Sequence, residues 1–207
     1  SMCSRNRIRR VVVGLTPDIV SMNTIGSDSD TCQPQSQSQS HVSESESLSK
    51  PISVLMIPAN ESLSGTLFTP SEAAAAGHRP GIVYAEQTVD GQAHMAGGLR
   101  LQSQLKALSP IPTGSAVLTS APSGLGVVYT HCVHTVPPFF RNPNWRELLM
   151  SAWCQGLSLA AGILAESSPE SDQNEQVFVA APLLGAGARG VPPPEACGAA
   201  AAAVTKW

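Results

Sequence analysis

The segment Val89-Asp90-Gly91-Gln92-Ala93-His94 holds the first residues whose types and spacing suggest chemistry. An aspartate and a histidine at this spacing share one face of a helix. A carboxylate held there can take a proton from water, the task of a general base. An aspartate at a helix start also caps, and taken alone capping is the commoner role. The second candidate is Gly185-Ala186-Gly187-Ala188-Arg189-Gly190, which satisfies G-x-G-x-x-G. Glycines let backbone N–H groups surround phosphate oxygens. A dinucleotide fold wants that string after its first strand and directly opening a helix. Here it follows the last expected strand, and Pro192-Pro193-Pro194 come next. A phosphate-cradling loop and a plain glycine turn are therefore the two readings. The third candidate is Asn60, directly after an apolar run. Its carboxamide can satisfy turn backbone, which is the commoner role, or bind a sugar hydroxyl. Cys132, close to His131 and His134, could be a nucleophile. Neighbours on a strand point to opposite faces, however, so core positions are expected for Cys132 and Cys154.

These residues need elements to position them. Arg10 to Leu15 reads as a short β-branched strand. Ile52 to Ile57 (ISVLMI) is a continuous apolar run, as in a central strand buried on both faces. Thr69-Pro70-Ser71-Glu72 forms a capping box with proline at the first helical position, and this short helix stops at Gly77. Ile82 to Tyr84, Ser115 to Thr119, Val127 to His134 and Val177 to Ala181 are further expected strands. A helix is expected from Gly91 to Leu108, with Leu99, Leu101, Leu105 and Leu108 on its apolar face and Gly97-Gly98 as a weak point. Asn144 and Glu147 form a second capping box. Trp145, Leu148, Leu149, Ala152, Trp153 and Leu157 follow at helical spacing. An Ala-rich helix closes the chain to Lys206. Strands alternating with helices argue for an α/β layered sheet covered on both faces.

Composition narrows the classes. The 207 residues include 12 Lys+Arg and 15 Asp+Glu, a net charge of -3, and only 13% are charged. Ordinary soluble domains carry about 25% charged residues. So few cations exclude a general phosphate-tracking nucleic-acid binder. No apolar run approaches the roughly 18 residues needed to span a bilayer, so no membrane contact is expected. Basic Arg5 to Arg10 precedes apolar Val11 to Leu15, which is too short for a secretory core. Cysteines at 3, 32, 132, 154 and 197 show no C-x-x-C spacing. An odd, irregular set reads as reduced intracellular thiols, and no metal site is expected. Residues 27–49 are rich in Ser, Gln, Asp and Glu and have little to bury, so a disordered or surface loop is expected there.

Taken in order, the motifs resemble a macro domain, the ADP-ribose-binding module, in its MacroD-type branch of ADP-ribosyl hydrolases. Pro17-Asp18-Ile19 stands where that branch has GDI. Ile57-Pro58-Ala59-Asn60 resembles Asn-Ala-Ala-Asn. Val89-Asp90-Gly91-Gln92-Ala93-His94-Met95-Ala96-Gly97-Gly98 resembles V-D-G-x-x-H-x-A-A-G. Thr113-Gly114 to Thr119 resembles T-G-x-A-x-I-T, and His134-Thr135-Val136-Pro137 resembles H-T-V-G-P. Pro182 to Pro192 resembles P-x-I-S-T-G-I-Y-G-F-P. The chain departs from the pattern in a loop inserted at 27–49 and in a second insertion at 66–88. The second replaces the family's glycine run and leaves Gly65 before it. Ser-Thr has become Gly185-Ala186, Tyr has become Arg189 and Phe has become Val191.

The resemblance implies one three-layer α/β/α domain over 1–207, with a central mixed sheet of about six strands. It implies that Asp18, with Ile19, meets the adenine and that Gly91 lies beside the ligand. The backbone at Gly185, Ala186, Gly187, Ala188, Arg189 and Gly190 would hold the diphosphate. Asn60 would bind the distal ribose, Asp90 would orient or deprotonate the attacking water, and His94 would steady either. The implied reaction is hydrolysis of ester-linked mono-ADP-ribose from acidic side chains, or of O-acetyl-ADP-ribose, without metal or cofactor. The alternatives are a non-catalytic reader of ADP-ribose or ADP-ribosylated proteins, and an interaction scaffold that has lost the ligand. A monomer is expected, and the insertion 66–88 is expected over the cleft mouth.

Overall fold

The computed structural model describes residues 52–65, 88–122, 124–166 and 177–207. The expected strands at 10–15 and 82–84, the loop at 27–49 and the helix at 69–77 lie outside these residues. So do Asp18, Ile19 and, except for Thr88, the insertion at 66–88.

Strand β1 runs Ile52–Pro58. Val54 to Ile57 are 0% exposed, which is why this strand reads as an unbroken apolar run: both of its faces are covered. The other strands are β2, Ala116–Ser120, β3, His131–Thr135, and β4, Val177–Ala180. The order across the sheet is β2-β3-β1-β4. β1 pairs in parallel with β3, setting Pro58 opposite Thr135, and with β4, setting Ile52 opposite Val177. β2 runs antiparallel to β3, so the sheet is mixed. The strand expected from Val127 begins only at His131. Before it, Leu125 and Gly126 donate their N–H groups back to the Pro122 carbonyl and close a turn.

Among the described residues, three helices sandwich the sheet: α1, Val89–Leu108, α2, Trp145–Glu166, and α3, Pro193–Lys206. Strand alternation sorts the side chains between two layers. Val54, Met56 and Val133 pack with Trp145, Leu149, Trp153 and Leu157 of α2 and with Ala196 and Ala203 of α3. Leu55, Ile57 and Cys132 pack on the opposite side with Ala93, Leu101 and Leu105 of α1. This is the three-layer α/β/α arrangement. Helix α2 begins at Trp145, directly after Asn144, where the sequence places its start. Pro193 and Pro194 fall in the first turn of α3, where a missing N–H leaves no helical bond unmade.

The apolar face of α1 departs from expectation. Leu101 and Leu105 are buried, but Leu99 is 81% and Leu108 41% exposed. The cause is Gly98, whose φ of 54° and ψ of -152° interrupt the helix and shift the following turn in phase. Cys132 is buried as expected, whereas Cys154 is only half-buried.

Candidate functional site

The carboxyl ends of the parallel strands meet at one edge of the sheet. After β1 the chain passes to the α1 layer, and after β4 it passes to α3 on the other face. Adjacent strands whose connections leave on opposite faces open a crevice at their carboxyl ends, the place where layered α/β proteins bind ligands. The loops at 59–65 and 181–192 border this crevice, and the end of β3 leads into a third loop at 136–140.

Asn60 organises the first loop. Its Nδ2 donates to the Gly65 carbonyl at 3.1 Å and to Ser64 Oγ at 3.4 Å. Its Oδ1 accepts from Ser62 Oγ at 3.0 Å and from the Ser64 N–H at 3.2 Å. The carboxamide thus fills the turn role and holds Gly65 in place. Gly65 has φ +79°, and a Cβ there would meet the His94 ring at 2.8 Å, so its backbone lies against the imidazole. His94 in turn stands one helical turn from Asp90, with Nε2 3.6 Å from Oδ1. That is beyond hydrogen-bond reach and within electrostatic contact. Asn60, Gly65, His94 and Asp90 therefore form one continuous packed series.

The helix cap belongs to another residue. Thr88 Oγ1 accepts from the Gly91 N–H at 2.9 Å, so the capping role considered for Asp90 is filled by its neighbour. The same bond engages the Gly91 N–H, leaving that group turned into the cap. Asp90 is 3% and His94 2% exposed. Burial lowers the pKa of His94 and keeps it neutral. Beneath it, His134 is fully buried, with Nε2 3.2 Å from Thr119 Oγ1. Burial, and secondly the nearby His94, push its pKa down to about 3. Neither ring nitrogen of His94, nor Nδ1 of His134, hydrogen-bonds to a described residue.

The glycine-rich loop folds back on itself through three bonds. The Ala186 N–H donates to Leu183, the Gly190 N–H to Gly187 and the Val191 N–H to Gly185. The N–H groups of Gly187, Ala188 and Arg189 take no acceptor among the described residues. Successive N–H groups in a turn form an anion-binding concavity. A Cβ at Gly187 would meet nothing within 4 Å, so the space above this backbone is open. Gly185 serves packing instead: its φ is +82°, and an added Cβ would press on Val191 at 3.1 Å.

Arg189 ties the loops together. Its Nη2 donates to the Ala59 carbonyl at 3.1 Å and lies 3.5 Å from Glu61 Oε2. Its guanidinium stacks 4.3 Å from the centroid of Phe139, and its carbonyl accepts from the Phe140 N–H at 2.9 Å. Sequence reasoning missed Glu61, Thr113 as its partner, and Phe139. The available signal was the pair Phe139-Phe140, half of the four phenylalanines in the chain, set beside the H-T-V segment.

Cys132 is no nucleophile at neutral pH, because burial raises its thiol to about 12. No group of three or more His, Cys, Asp or Glu among the described residues could hold a metal. No described helix is long and apolar enough to cross a membrane. A depression of about 360 Å³ lined by Ala116, Cys154, Gln155, Ser158 and Leu159 opens beside α2, away from the crevice, and includes none of these site residues.

A family model for the Macro domain matches residues 58–200, a span that runs from the end of β1 into α3. The chain belongs to the macro domain family. Solved macrodomains share its fold. A point variant of the Oceanobacillus iheyensis macrodomain with ADP-ribose aligns at 22% identity and TM-score 0.54, covering 76% of this chain and 72% of that one. The same bacterial macrodomain with ADP aligns at 22% identity and TM-score 0.53, covering 75% and 69%. The Trypanosoma brucei macrodomain in complex with ADP aligns at 19% identity and TM-score 0.52, covering 74% and 50%. None of the curated proteins compared matches the chain. In this macro domain Gly65 packs on His94, and Arg189 reaches from the 185–190 loop to Ala59 and Glu61 of the 59–65 loop.

Proposed function

We propose that this macro domain binds ADP-ribose in the crevice and hydrolyses ester-linked mono-ADP-ribose. The substrate is the ester joining the distal ribose to an acidic protein side chain, or the same bond in O-acetyl-ADP-ribose. One observation carries the binding half: the consecutive N–H groups of Gly187, Ala188 and Arg189 take no acceptor among the described residues, and the space above Gly187 is open, which suits them to cradle an anion such as a diphosphate. The solved relatives with ADP-ribose and with ADP support the choice of ligand. In this reading Gly185, Ala186 and Gly190 shape the cradle, and Asp18 and Ile19, outside the described residues, hold the adenine. Asn60 meets the distal ribose and Gly91 lies beside it.

Asp90 is the general base of the reaction. It takes a proton from water, and the resulting hydroxide adds to the ester carbonyl carbon. The bond from that carbon to the ribose oxygen then breaks. The proton returns from Asp90 to the leaving ribose oxygen, releasing ADP-ribose and the free acid. His94, neutral and packed against Gly65, keeps the carboxylate in place. We propose a monomer inside the cell, acting on ADP-ribosylated proteins with neither nucleic acid nor membrane as partner.

A second reading, a non-catalytic reader, has its own support. Both ends of the Asn60 amide are engaged within its loop, and Asp90 is 3% exposed. The deciding experiment is release of label from a Glu-linked ADP-ribosylated protein. Turnover by the wild type that falls at least about a hundredfold in Asp90→Ala establishes the hydrolase, on the scale of a lost general base. Wild type and Asp90→Ala that are equally inert, yet bind ADP-ribose, establish the reader.

A further inference from the structure

Arg189 and Glu61 form a clasp across the crevice, and its two halves are held differently. Glu61 is pinned. Thr113 Oγ1 donates to its Oε1 at 2.7 Å, and its carbonyl accepts from the Ile111 N–H at 2.9 Å. Burial alone would raise its pKa, but the Thr113 bond, its own backbone and Arg189 together lower it, so Glu61 is ionised at neutral pH. Arg189 is the more buried of the two, at 12% against 45% exposed, yet its hydrogen-bonding capacity is only partly used. Both of its hydrogen bonds leave from Nη2, and the one to Glu61 spans 3.5 Å. Its Nη1 and Nε donors make no hydrogen bond to a described residue. Its side chain rests on Phe139, with the guanidinium 4.3 Å from the ring centroid. A guanidinium so placed suits a phosphate, because its donors form a planar fork. The Glu61 carboxylate 3.5 Å away offsets part of that charge.

We propose that Glu61 is a built-in competitor for the ligand's diphosphate. Its carboxylate holds Arg189 across the crevice, and an anionic ligand gains the guanidinium only by displacing it. The inference rests on the ADP-ribose reading of the crevice. It makes Glu61 a residue that sets affinity for charged ligands, and one that the resemblance to known macro domains does not supply.

The test is calorimetric titration of wild type, Glu61→Gln and Glu61→Asp with ADP-ribose and, separately, with adenosine, which lacks the phosphates. Glu61→Gln keeps an acceptor for Thr113 and loses the charge. It is expected to bind ADP-ribose about tenfold more tightly, with no gain for adenosine. Glu61→Asp keeps the charge but draws it back by one methylene from Arg189, so it is expected to gain less ADP-ribose affinity than Glu61→Gln. Equal or weaker ADP-ribose binding by Glu61→Gln, with wild-type binding intact, overturns the competitor role and leaves the binding site standing. An equal gain for adenosine also overturns it, since that marks a loosened loop instead of a charge effect. Absence of ADP-ribose binding in both wild type and Glu61→Gln removes the inference and the ligand reading together.

Discussion

The two faces of the sheet are built from different materials. Toward α2 and α3, the buried side chains are almost all apolar, led by Val54, Met56, Val133, Trp145, Leu149, Trp153 and Leu157, with Thr135 the polar member that meets α2 at Gly156. Toward α1, Leu55, Ile57, Leu101 and Leu105 share the interior with Asp90, His94, His134 and Thr119, all 5% exposed or less. Burying a polar group without full hydrogen bonding costs free energy, commonly about 1–3 kcal/mol by mutation. Most of that cost falls in the layer beside the crevice, where Asp90 Oδ1, both His94 nitrogens and His134 Nδ1 are buried; in the other layer the Trp153 indole N–H bears it. The apolar layer holds the sheet rigid, and the mixed layer holds a carboxylate and two imidazoles where water would otherwise level their properties. The division tracks chain connectivity: α1 follows the β1 loop that carries Asn60 and Gly65, so its first turns are the ones brought to the crevice.

The sharpest way to break this comparison is to damage the apolar face alone. Leu149 is 0% exposed, and its methyl also lies within 3.4 Å of the position a Cβ at Gly185 would take. Leu149→Ala should lower unfolding free energy by about 2–5 kcal/mol, the range for a buried leucine truncation. Measured by urea denaturation, the loss should appear in the midpoint. ADP-ribose affinity at a temperature where the variant is folded should change less than about threefold, the spread expected of a site not touched directly. A large affinity loss would show that the apolar layer shapes the cradle through Gly185, and the two faces would then be one unit.

A second test acts only on the mixed face. His134 and His94 both have folded pKa values below the ordinary 6.5, from burial. Below pH 6.5 the unfolded chain binds protons that the folded chain refuses, so stability falls as pH drops. For His134 the fall continues toward about pH 3. Each such histidine contributes a slope of about 1.4 kcal/mol per pH unit once its unfolded form is titrating fully. Thermal unfolding between pH 7 and 5.5 reads this before most carboxylates titrate. His134→Leu should flatten the slope and leave neutral-pH stability within about 1.5 kcal/mol of wild type, because the ring it removes has one nitrogen without a described partner. An unchanged slope in His134→Leu would mean that the imidazole is hydrated in the folded state.

The same contrast explains what could be read from the chain. The apolar layer is legible because its pattern is local: ISVLMI is unbroken where both faces are covered, and Trp145 to Leu157 repeats at helical spacing. On α1 the Gly97-Gly98 pair marks the place of the break, but not its angle: a single residue at φ 54° moves Leu99 to the surface, against the periodicity. At the site, the positions of Asn60, Asp90 and the 185–190 loop were legible as a series of motifs, and what each atom touches was not. The bond from Arg189 to Glu61 joins residues 128 apart, and no short-range pattern encodes it. Gly65 was visible only as a remaining glycine, and its contact with the His94 ring depends on how Asn60 folds the loop.

The smallest expected effect separates holding α1 from using it. Thr88 caps the helix through Gly91, two positions from the carboxylate proposed as the base. Thr88→Ala removes the hydroxyl acceptor and should cost about 1 kcal/mol, the usual value of an N-cap. If the cap serves only the helix, the loss should appear in the melting temperature alone, and Thr88→Ser, which keeps the hydroxyl, should restore it. If the cap also fixes the first turn that aims Asp90, Thr88→Ala should lower hydrolytic turnover with ADP-ribose affinity unchanged, and Thr88→Ser should recover both readouts. The second pattern is expected, because the Gly91 N–H is held in the very turn that carries Asp90, and fraying there would move the carboxylate off His94 before it loosened any contact in the 185–190 loop.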